Sequence, residues 1–599
     1  MNTKTIVENV LTPARAKDLW TANYFTALPF TPQGYEVGSL LPAMLYMARW
    51  GHRRGKGHFI ETFGRLDGQG KSLPPRLVDV ASGLLARAGG DFDGFAGDYG
   101  PAMLADLLLT YCLENKEHEL GHEEVVQRVF PTHYLASWVD LPETVAHLRG
   151  VPELLTALLA WQDKGGTLAQ RASRTFPVGG NFSENPLLAL FGRHVEIDGP
   201  AANLASDRFM EQTADDLGVD ELLAVRLAQV CGHAPGRVTG SAADIPNRWP
   251  IAKAAAKYLR GDLATFIAAY GTTLPRQAFL PMLEAGIGLG MVNLLLSTAV
   301  CLSEWERTGS LPKEQQPLPL FVDCSHGLDT KLRNVSEAAM SEALSRYERL
   351  PVLMMLARVL DDRVSHHPKL KNDLPPQQPD ATAWLNLLGE IYRERHDRSE
   401  SILERLDEDC IRLAEELEQA DEAQEVVRAL RNDQINSALR LAEALVETMG
   451  YTAQGRQYLK TLDSSLMPNR PNGLAFKRRV SRSEAGTKKA VDLHSIVLSH
   501  ALLDFLVHRH LRKDGEGKAA RPLSLRKFLD ILRDHYGLYV DREPPGLSVP
   551  QDLLHANKSW LERRLRDLGL LVGVNDAESM KQLRARFTVT VKEDGKLIA

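Results

Sequence analysis

The sequence predicts a mainly α-helical protein, in which a multi-domain helical body precedes a smaller C-terminal module of helices and strands. Three observations support this fold class. Apolar residues recur at helical spacing through most of the first 465 residues, strand-like stretches are few, and helical and strand-like segments alternate in a defined order after residue 490. A length of 599 residues favours several domains, and a hydrophobic content of 44% is enough to build their cores.

The first predicted unit is an acidic helical domain over residues 1–312. Three of its segments place apolar residues at positions i, i+3 and i+4, the spacing of one helix face: 102–112, 151–161 and 221–231. Glycine and proline separate these segments, so we expect a series of short helices rather than one long helix.

Residues 285–302 of this domain are almost free of polar side chains and are just long enough to cross a bilayer. The stretch is single, contains Asn293, and has no basic cluster beside it to set an orientation. We therefore predict a helix that is buried on all sides in a large α-domain. A membrane-tethered effector that uses residues 285–302 is the alternative.

Three further segments precede the C-terminal module. Residues 313–365 predict a strand, a loop and a helix, and a polar, proline-rich stretch then separates them from residues 381–463. Residues 381–463 are charged and helical, with a heptad too irregular for a coiled coil, so we predict a long helical hairpin. Residues 464–490 are rich in proline, serine and basic residues and predict a basic linker.

The module over residues 491–599 shows a specific order of elements. Amphipathic spacing predicts three helices, and short apolar or alternating runs predict extended segments after the second and third helices. The predicted helices are 495–511, 524–535 and 550–568, and the extended segments are 536–540, 570–574 and 583–591. Three helices followed by a two-stranded hairpin are typical of a winged helix, a variant of the helix-turn-helix.

The charge of the chain divides at the same place. Residues 466–599 contain 25 Lys and Arg against 16 Asp and Glu, a formal charge of +9, whereas the preceding residues carry −15. A basic module on an acidic body suggests that one part of a larger assembly contacts a polyanion. The alternatives are a module that docks another protein and a solvated helix face that binds nothing.

The candidate DNA-binding residues are cations of three regions: a glycine-rich basic loop, the basic linker, and the third helix and hairpin of the module. In a winged helix, the third helix meets phosphates or base edges and the hairpin reaches flanking phosphates. The candidates are Arg53, Arg54, Lys56, Lys477, Arg478, Arg479, Arg482, Lys558, Arg563, Arg566, Arg584 and Arg586. Because these cations are scattered, we expect phosphate contacts rather than a strict sequence code.

The strongest enzyme-like pattern follows the apolar run at residue 320, where Asp323, Cys324, Ser325, His326 and Asp329 come in quick succession. Loops at strand ends often carry function, so a divergent metal-dependent nuclease or hydrolase centred on Asp323 and Asp329 is an alternative. Ordinary turn chemistry also explains these residue types. No motif predicts a metal or a cofactor, and we expect a protein that is not an enzyme.

Several stretches of the chain resemble large helical proteins of prokaryotic anti-phage defence operons, in particular accessory subunits of methylation-associated systems. These stretches are FPTHYLASWVDLP (130–142), PLFVDCSHGLDTKLRNVSE (319–337), PNGLAFKRR (471–479), VDLHSIVLSHALLDFLVHRHLR (491–512) and LGLLVGVNDAESMKQLRARF (568–587). The resemblance implies a defence role and partner subunits from the same operon. It transfers no catalytic residue.

Our working hypothesis is a non-enzymatic subunit of a bacterial anti-phage complex, whose acidic body binds other subunits and whose basic module binds DNA. We expect it in the cytoplasm, because the five cysteines are far apart and no apolar signal peptide begins the chain.

Overall fold

The computed structural model describes most of the chain beyond residue 244 and shorter segments before it. The described residues are 3–11, 23–53, 59–73, 75–115, 126–129, 150–161, 176–179, 184–191, 195–196, 208–209, 218–231, 244–271, 273–370, 373–484, 487–513, 520–573 and 581–587.

Helices dominate the structure, as the sequence predicts, and the protein is mainly α. In the first half they are α1 (Thr3–Leu11), α2 (Leu40–Trp50), α3 (Phe59–Phe63), α4 (Leu77–Ala88), α5 (Gly100–Tyr111), α6 (Val151–Leu159), α7 (Pro186–Phe191), α8 (Val219–Cys231), α9 (Lys253–Tyr270) and α10 (Arg276–Thr308). In the second half they are α11 (Thr330–Tyr347), α12 (Leu350–Ser365), α13 (Thr382–Tyr392), α14 (Ser399–Gln419), α15 (Gln424–Leu430), α16 (Ser437–Thr448), α17 (Tyr451–Leu466), α18 (His500–His510), α19 (Leu525–Tyr536) and α20 (Gln551–Asp567).

The strands are short except for one hairpin. They are β1 (Arg65–Leu66), β2 (Ser72–Leu73), β3 (Leu113–Asn115), β4 (Val126–Val129), β5 (Val195–Glu196), β6 (Arg208–Phe209), β7 (Leu320–Phe321), β8 (Ala475–Glu484), β9 (Thr487–Ile496), β10 (Leu523–Ser524), β11 (Leu538–Tyr539), β12 (Leu571–Val572) and β13 (Gln582–Leu583). Antiparallel pairs join β1 to β2, β3 to β4, β5 to β6 and β8 to β9.

The chain forms two compact units. One comprises Met1–Gly34, Arg248–Phe266 and Pro281–Thr588, and the other comprises Tyr35–Asn247, Ile267–Leu280 and Val589–Ala599. In the second of these, helices α4, α5 and α8 pack around a core that includes Val80, Leu84, Leu104, Leu108 and Leu227. The boundaries that the sequence predicts for separate domains stay a prediction.

The apolar stretch at residues 285–302 lies inside α10, a helix long and apolar enough to cross a membrane by length and composition alone. In the most apolar part of this helix, 89% of the residues are buried within the protein. Three glycines allow neighbours to approach it: a Cβ at Gly286 would meet the Phe505 ring at 2.4 Å, one at Gly288 would meet the Ser465 carbonyl at 2.6 Å, and one at Gly290 would meet the Leu259 side chain at 2.2 Å.

The region of residues 381–463 differs from the predicted long hairpin. It contains the helices α13 to α17, and only α14, with 21 residues, is long. Asp421 and Ala423 adopt left-handed backbone conformations between α14 and α15, and Asn436 caps the start of α16. These helices pack on each other and on α12, so local turn chemistry replaces the expected extended pair.

Residues 464–490 were predicted to be a linker, whereas the structure has the end of α17 and a hairpin of two ten-residue strands there. The register runs from Ala475 opposite Ile496 to Glu484 opposite Thr487. The strand end is tied to the segment after β7, because the Asp323 amide donates to the Ile496 carbonyl at 2.8 Å. The two strands pair with each other, and the end of β9 also bonds to the distant segment after β7. The composition of residues 464–490 gives no sign of this long-range contact.

The C-terminal module has the predicted order of three helices and short strands. The sheet order is β10-β13-β12, with both pairs antiparallel. Local sequence signals mark two helix ends: Ser524 caps α19 by accepting a hydrogen bond from the Lys527 amide, and Gly569, with φ of +69°, follows α20. Residues 588–591 of the last predicted strand lie outside the described part of the chain.

One feature of the module departs from a tight helix-turn-helix. Residues 537–550 separate α19 from α20, whereas the standard turn has about three or four residues. Within this connection, β11 pairs in parallel with β7, so that Leu538 lies opposite Leu320. The module therefore shares a two-stranded sheet with β7, which lies far earlier in the chain. Its assignment as a winged helix stays a prediction.

Candidate nucleic-acid interface and strand-end loop

The outer face of α20 carries the most exposed of the predicted cations. Leu554, Leu561 and Leu565 on the inner face are fully buried, which turns the opposite face to solvent. The side chain of Arg563 is 71% exposed and that of Arg566 is 48% exposed. Their nearest carboxylates, Asp567 at 4.0 Å and Glu562 at 3.8 Å, are one helical turn away and hold them only weakly. Both guanidinium groups are therefore accessible.

Two more predicted cations, Arg584 and Arg586, follow β13 in the sequence. The Arg584 Nε donates to the carbonyl of Gly569 at 3.0 Å, so its side chain reaches the residue that follows the helix. The Arg586 guanidinium lies 3.1 Å from Asp504 on α18. Burial lowers the pKa of His500 at the start of that helix, and the charge of Arg586 lowers it further. The structure thus gathers Arg563, Arg566 and Arg584 around one end of α20, whereas Arg586 forms an ion pair with α18. Lys558 is half-buried on the same helix.

The hairpin cations have different surroundings. Lys477 Nζ lies 2.8 Å from Asp463 and 3.2 Å from Asp492, and Arg478 donates two hydrogen bonds, of 2.5 and 2.6 Å, to Glu337. Hydrogen bonding to Glu337 raises the pKa of the Arg478 guanidinium. These two side chains join the hairpin to α17 and α11, and their charge is largely compensated.

The other predicted cations are dispersed or lie outside the described residues. Arg479 is exposed on β8, and the side chain of Arg482 lies outside the described part. Arg53 lies 3.4 Å from Glu153 in the second compact unit, while Arg54 and Lys56 fall among the residues that the structure leaves undescribed. Among the predicted cations that the structure describes, Arg563, Arg566 and Arg584 come together near the end of α20.

The enzyme-like loop after β7 is a closed hydrogen-bonded turn. The Asp323 carboxylate is fully buried; its Oδ1 accepts from the amide and hydroxyl of Ser325 at 2.9 and 2.5 Å, and its Oδ2 accepts from the Gly327 amide at 2.8 Å. Burial raises the pKa of the Asp323 carboxyl, although these hydrogen bonds oppose the rise. Both oxygens thus serve the turn.

Asp329 has a second structural role, because it caps α11 by accepting from the amides of Lys331 and Leu332. Its own amide donates to the Ser325 hydroxyl at 2.9 Å. Across the described part of the chain, no three His, Cys, Asp or Glu side chains are placed to hold a metal ion. The carboxylates that suggested a hydrolase therefore act here as a turn and a helix cap.

The sequence analysis missed Asn557, which joins α20 to this loop. Asn557 is fully buried; its Oδ1 accepts from the Cys324 amide at 2.9 Å, and its Nδ2 donates to the carbonyls of Val322 and Val540 at 2.8 and 3.0 Å. An asparagine at an i+4 spacing from Leu553 and Leu561 carries no sequence signal for such a role, because its partners are far away along the chain.

The alternative of a solvated helix face would include Arg564 with Arg563 and Arg566, whereas in the structure Arg564 lies on the inner face of α20 and is 9% exposed. Neither of its terminal nitrogens has a hydrogen-bond partner among the residues that the structure describes. Burial lowers the pKa of its guanidinium, although nearby Cys324 and Asp323 oppose this effect. Arg564 directly follows Arg563 in the sequence, and only the packing of α20 shows that one side chain is buried and the other exposed.

A buried polar network attaches the module to α9. Arg509 Nε lies 2.7 Å from Asp262 Oδ1, and the Tyr536 hydroxyl donates to Asp262 Oδ2 at 2.8 Å. The ring of His510 lies 2.7 Å from the same hydroxyl. The basic run of residues 508–510 in the last turn of α18 therefore forms buried hydrogen bonds, in addition to the favourable interaction with the helix dipole that its position predicts.

Comparison with known proteins supplies one match. The family model described as methylation-associated defense system protein MAD7 matches residues 201–587 of the chain, which is more than half of its length. No curated protein and no solved structure matches the chain.

Proposed function

Because the chain belongs to the family of methylation-associated defense system protein MAD7, we propose that it is the nucleic-acid-holding subunit of an anti-phage defence complex. The contact surface in this proposal consists of Arg563, Arg566 and Arg584, the three arginines at the end of α20. We call it the arginine end. The observation that supports it most strongly is their convergence from two elements that are separate in the sequence.

Charge and geometry both favour a phosphate backbone as the ligand. The residues from 466 onward carry a formal +9, and internal ion pairs compensate Lys477 and Arg478 but leave Arg563 and Arg566 largely accessible. Guanidinium groups bind phosphate oxygens in a bidentate manner without reading bases. The order of three helices with a β10-β13-β12 sheet supports a winged-helix reading, although the long connection before α20 departs from a tight turn.

The partners in this proposal are DNA and other subunits of the same defence operon. The acidic residues before 466, with a formal charge of −15, would face those subunits rather than DNA. All five cysteines are buried and unpaired, which is in keeping with a cytoplasmic protein.

The test is DNA binding by the full-length chain across a salt series, followed by fluorescence anisotropy of a labelled duplex. The variant Arg563→Gln/Arg566→Gln/Arg584→Gln should weaken binding and flatten the dependence of log K on log salt, by about 0.9 for each lost phosphate contact. A matched control, Arg307→Gln/Arg346→Gln/Arg431→Gln, removes the same charge from exposed positions within or directly after helices of the same compact unit.

The two variants separate a local surface from general charge. If the control weakens binding as much as the test variant, or if wild-type binding is absent at low salt, the arginine end is not the contact surface. Loss confined to the test variant supports the proposal.

A further inference from the structure

Helix α5 is apolar around most of its circumference, and the structure buries one side of it. Among its 12 residues, Asp106 is the one that carries a charge. Leu104 and Leu108 are fully buried in the core that α5 shares with α4 and α8. On the opposite side, Met103 is 60% exposed, and Tyr99, directly before the helix, is 81% exposed. A helix that is apolar all round is normally buried, so the exposed side of α5 is a candidate contact surface.

The exposed residues of α5 lie together on one side of the helix. Met103 follows Tyr99 by four residues and exposed Thr110 follows Met103 by seven, so these three lie along one line. Leu109 and Tyr111, each 41% exposed, lie to either side of this line. Twelve residues extend over about 18 Å, the length that a short partner helix can cover. We call Tyr99, Met103, Leu109 and Tyr111 the α5 face.

Carboxylates accompany the α5 face. Residues 89–111 contain four aspartates and no lysine, arginine or histidine. Asp98 directly precedes Tyr99, and Asp106 follows Met103 by three residues, which places it on the same side of the helix. Both carboxylates are exposed, and neither forms an ion pair with a cation in the part of the chain that the structure describes. The face is therefore apolar and negatively charged at the same time.

This charge favours one kind of occupant over the others. A second copy in a two-fold dimer would bring the same aspartates against the face, and like charges in an interface are unfavourable. Anionic lipid headgroups and nucleic acid would be repelled for the same reason. A protein helix with apolar residues on one side and lysines or arginines beside them complements both properties of the face.

We infer that the α5 face binds a basic amphipathic helix of a partner protein. Apolar side chains of that helix pack on Tyr99 and Met103, and its cations pair with Asp98 and Asp106. The inference rests on the proposed function only for the presence of partner subunits, and it does not involve the arginine end. The face also lies before residues 201–587, so it does not follow from the family match.

The probe is a labelled synthetic peptide of about 20 residues, long enough to form a helix, with leucines on one side and lysines on the other. Its binding to the full-length protein is measured by fluorescence anisotropy at fixed ionic strength. Two comparison peptides replace every lysine by glutamate or every leucine by serine. The leucine–lysine peptide should bind at least about tenfold more tightly than either of them. Absence of binding, or equal binding of the serine peptide, would overturn the inference.

The apolar part of the face is tested by Tyr99→Ser/Met103→Ser. This variant should bind the leucine–lysine peptide about tenfold more weakly, whereas the control Leu328→Ser/Val572→Ser should stay within about twofold of the wild type. The control removes exposed apolar side chains from the other compact unit. Equal losses in the two variants, or no loss in either, would show that the peptide does not bind at the α5 face.

The carboxylates are tested separately by Asp98→Asn/Asp106→Asn. This variant should bind the peptide about threefold more weakly and with less dependence on salt, whereas Asp397→Asn/Glu400→Gln, at exposed positions elsewhere, should bind as the wild type does. If the Tyr99→Ser/Met103→Ser variant does not fold, this pair of variants decides the inference, and equal affinities refute it.

Two further measurements separate the other possibilities. A concentration-dependent dimer in sedimentation velocity that Tyr99→Ser/Met103→Ser abolishes would assign the face to a second copy and overturn the inference. DNA binding by Tyr99→Ser/Met103→Ser should equal that of the wild type, because the arginine end is unchanged. Failure of the peptide test therefore leaves the proposed DNA contact standing, and failure of the DNA test leaves the α5 face standing.

Discussion

Replacement of Asn557 by alanine should loosen α20 from the strand-end loop. Its side chain makes three hydrogen bonds to backbone groups of residues 322, 324 and 540, at 2.8 to 3.0 Å, in a fully buried position. Removal leaves the Cys324 amide and two carbonyls without these partners and away from water. An unsatisfied buried group costs about 1–3 kcal/mol, and carbonyls with a second lone pair lie toward the low end.

We therefore expect a loss of about 3 kcal/mol in the free energy of local opening, which corresponds to roughly a hundredfold faster exchange. Hydrogen–deuterium exchange measured by mass spectrometry suits this large chain, because it resolves segments that do not unfold in one step. Peptides from α20, from residues 320–324 and from residues 538–540 should all lose protection together.

The matched control is Ser559→Ala, two residues further along the same helix. Ser559 is exposed, and its hydroxyl donates to the carbonyl of His555, one turn earlier. Removal of this hydroxyl should therefore change the free energy of local opening by less than about 0.5 kcal/mol. Should Asn557→Ala cost less than about 1 kcal/mol, or loosen α20 without the two other segments, the side chain does not join these elements.

Further predictions concern α10, a buried histidine and the enzyme-like loop. Gly288→Ala should destabilise the protein by about 1–3 kcal/mol, because the new Cβ would meet the Ser465 carbonyl; a melting temperature equal to that of the wild type would contradict this packing. Burial lowers the pKa of His508 to about 4, so its neutral form stabilises the fold fully above pH 6.5 and this stability is lost as the pH falls towards 4. The urea midpoint of His508→Gln should accordingly depend less on pH than that of the wild type between pH 6.5 and 4.5, and equal slopes would argue against this titration. Asp323→Asn should lower stability by about 1–3 kcal/mol through one lost acceptor, without affecting nucleic acids incubated with Mg²⁺ or Mn²⁺; a cleavage activity that this change abolishes would restore the hydrolase alternative.

Local signals explain the parts of the fold that could be predicted. The α20 helix begins one residue after Pro550 and ends just before Leu568, and Ser524 and Gly569 occupy the cap positions expected of them. Each of these features depends on residues within one or two helical turns, so the sequence contains the whole cause. The burial of residues 285–302 could likewise be predicted, since few polar groups allow a helix to be covered on all sides.

The hairpin over residues 475–496 could not be predicted, because few of its side chains alternate between apolar and polar. Lys477 and Arg478 look like free cations in the sequence, yet each meets a carboxylate from a distant helix. The sequence shows that a segment is basic, but it does not show whether the partner of each charge is solvent, a ligand or another residue of the chain.

By itself, the sequence determined the helical class, the caps of α19 and α20, the charge division and the resemblance to defence proteins, because these depend on composition and on near neighbours. The tertiary structure alone decided which arginines of α20 are accessible. Arg563 and Arg564 are adjacent in the chain, and about 100° of helical rotation between them turns one into solvent and the other into the interior. Packing partners far away in the chain set that rotation, and with it the surface available to bind a phosphate.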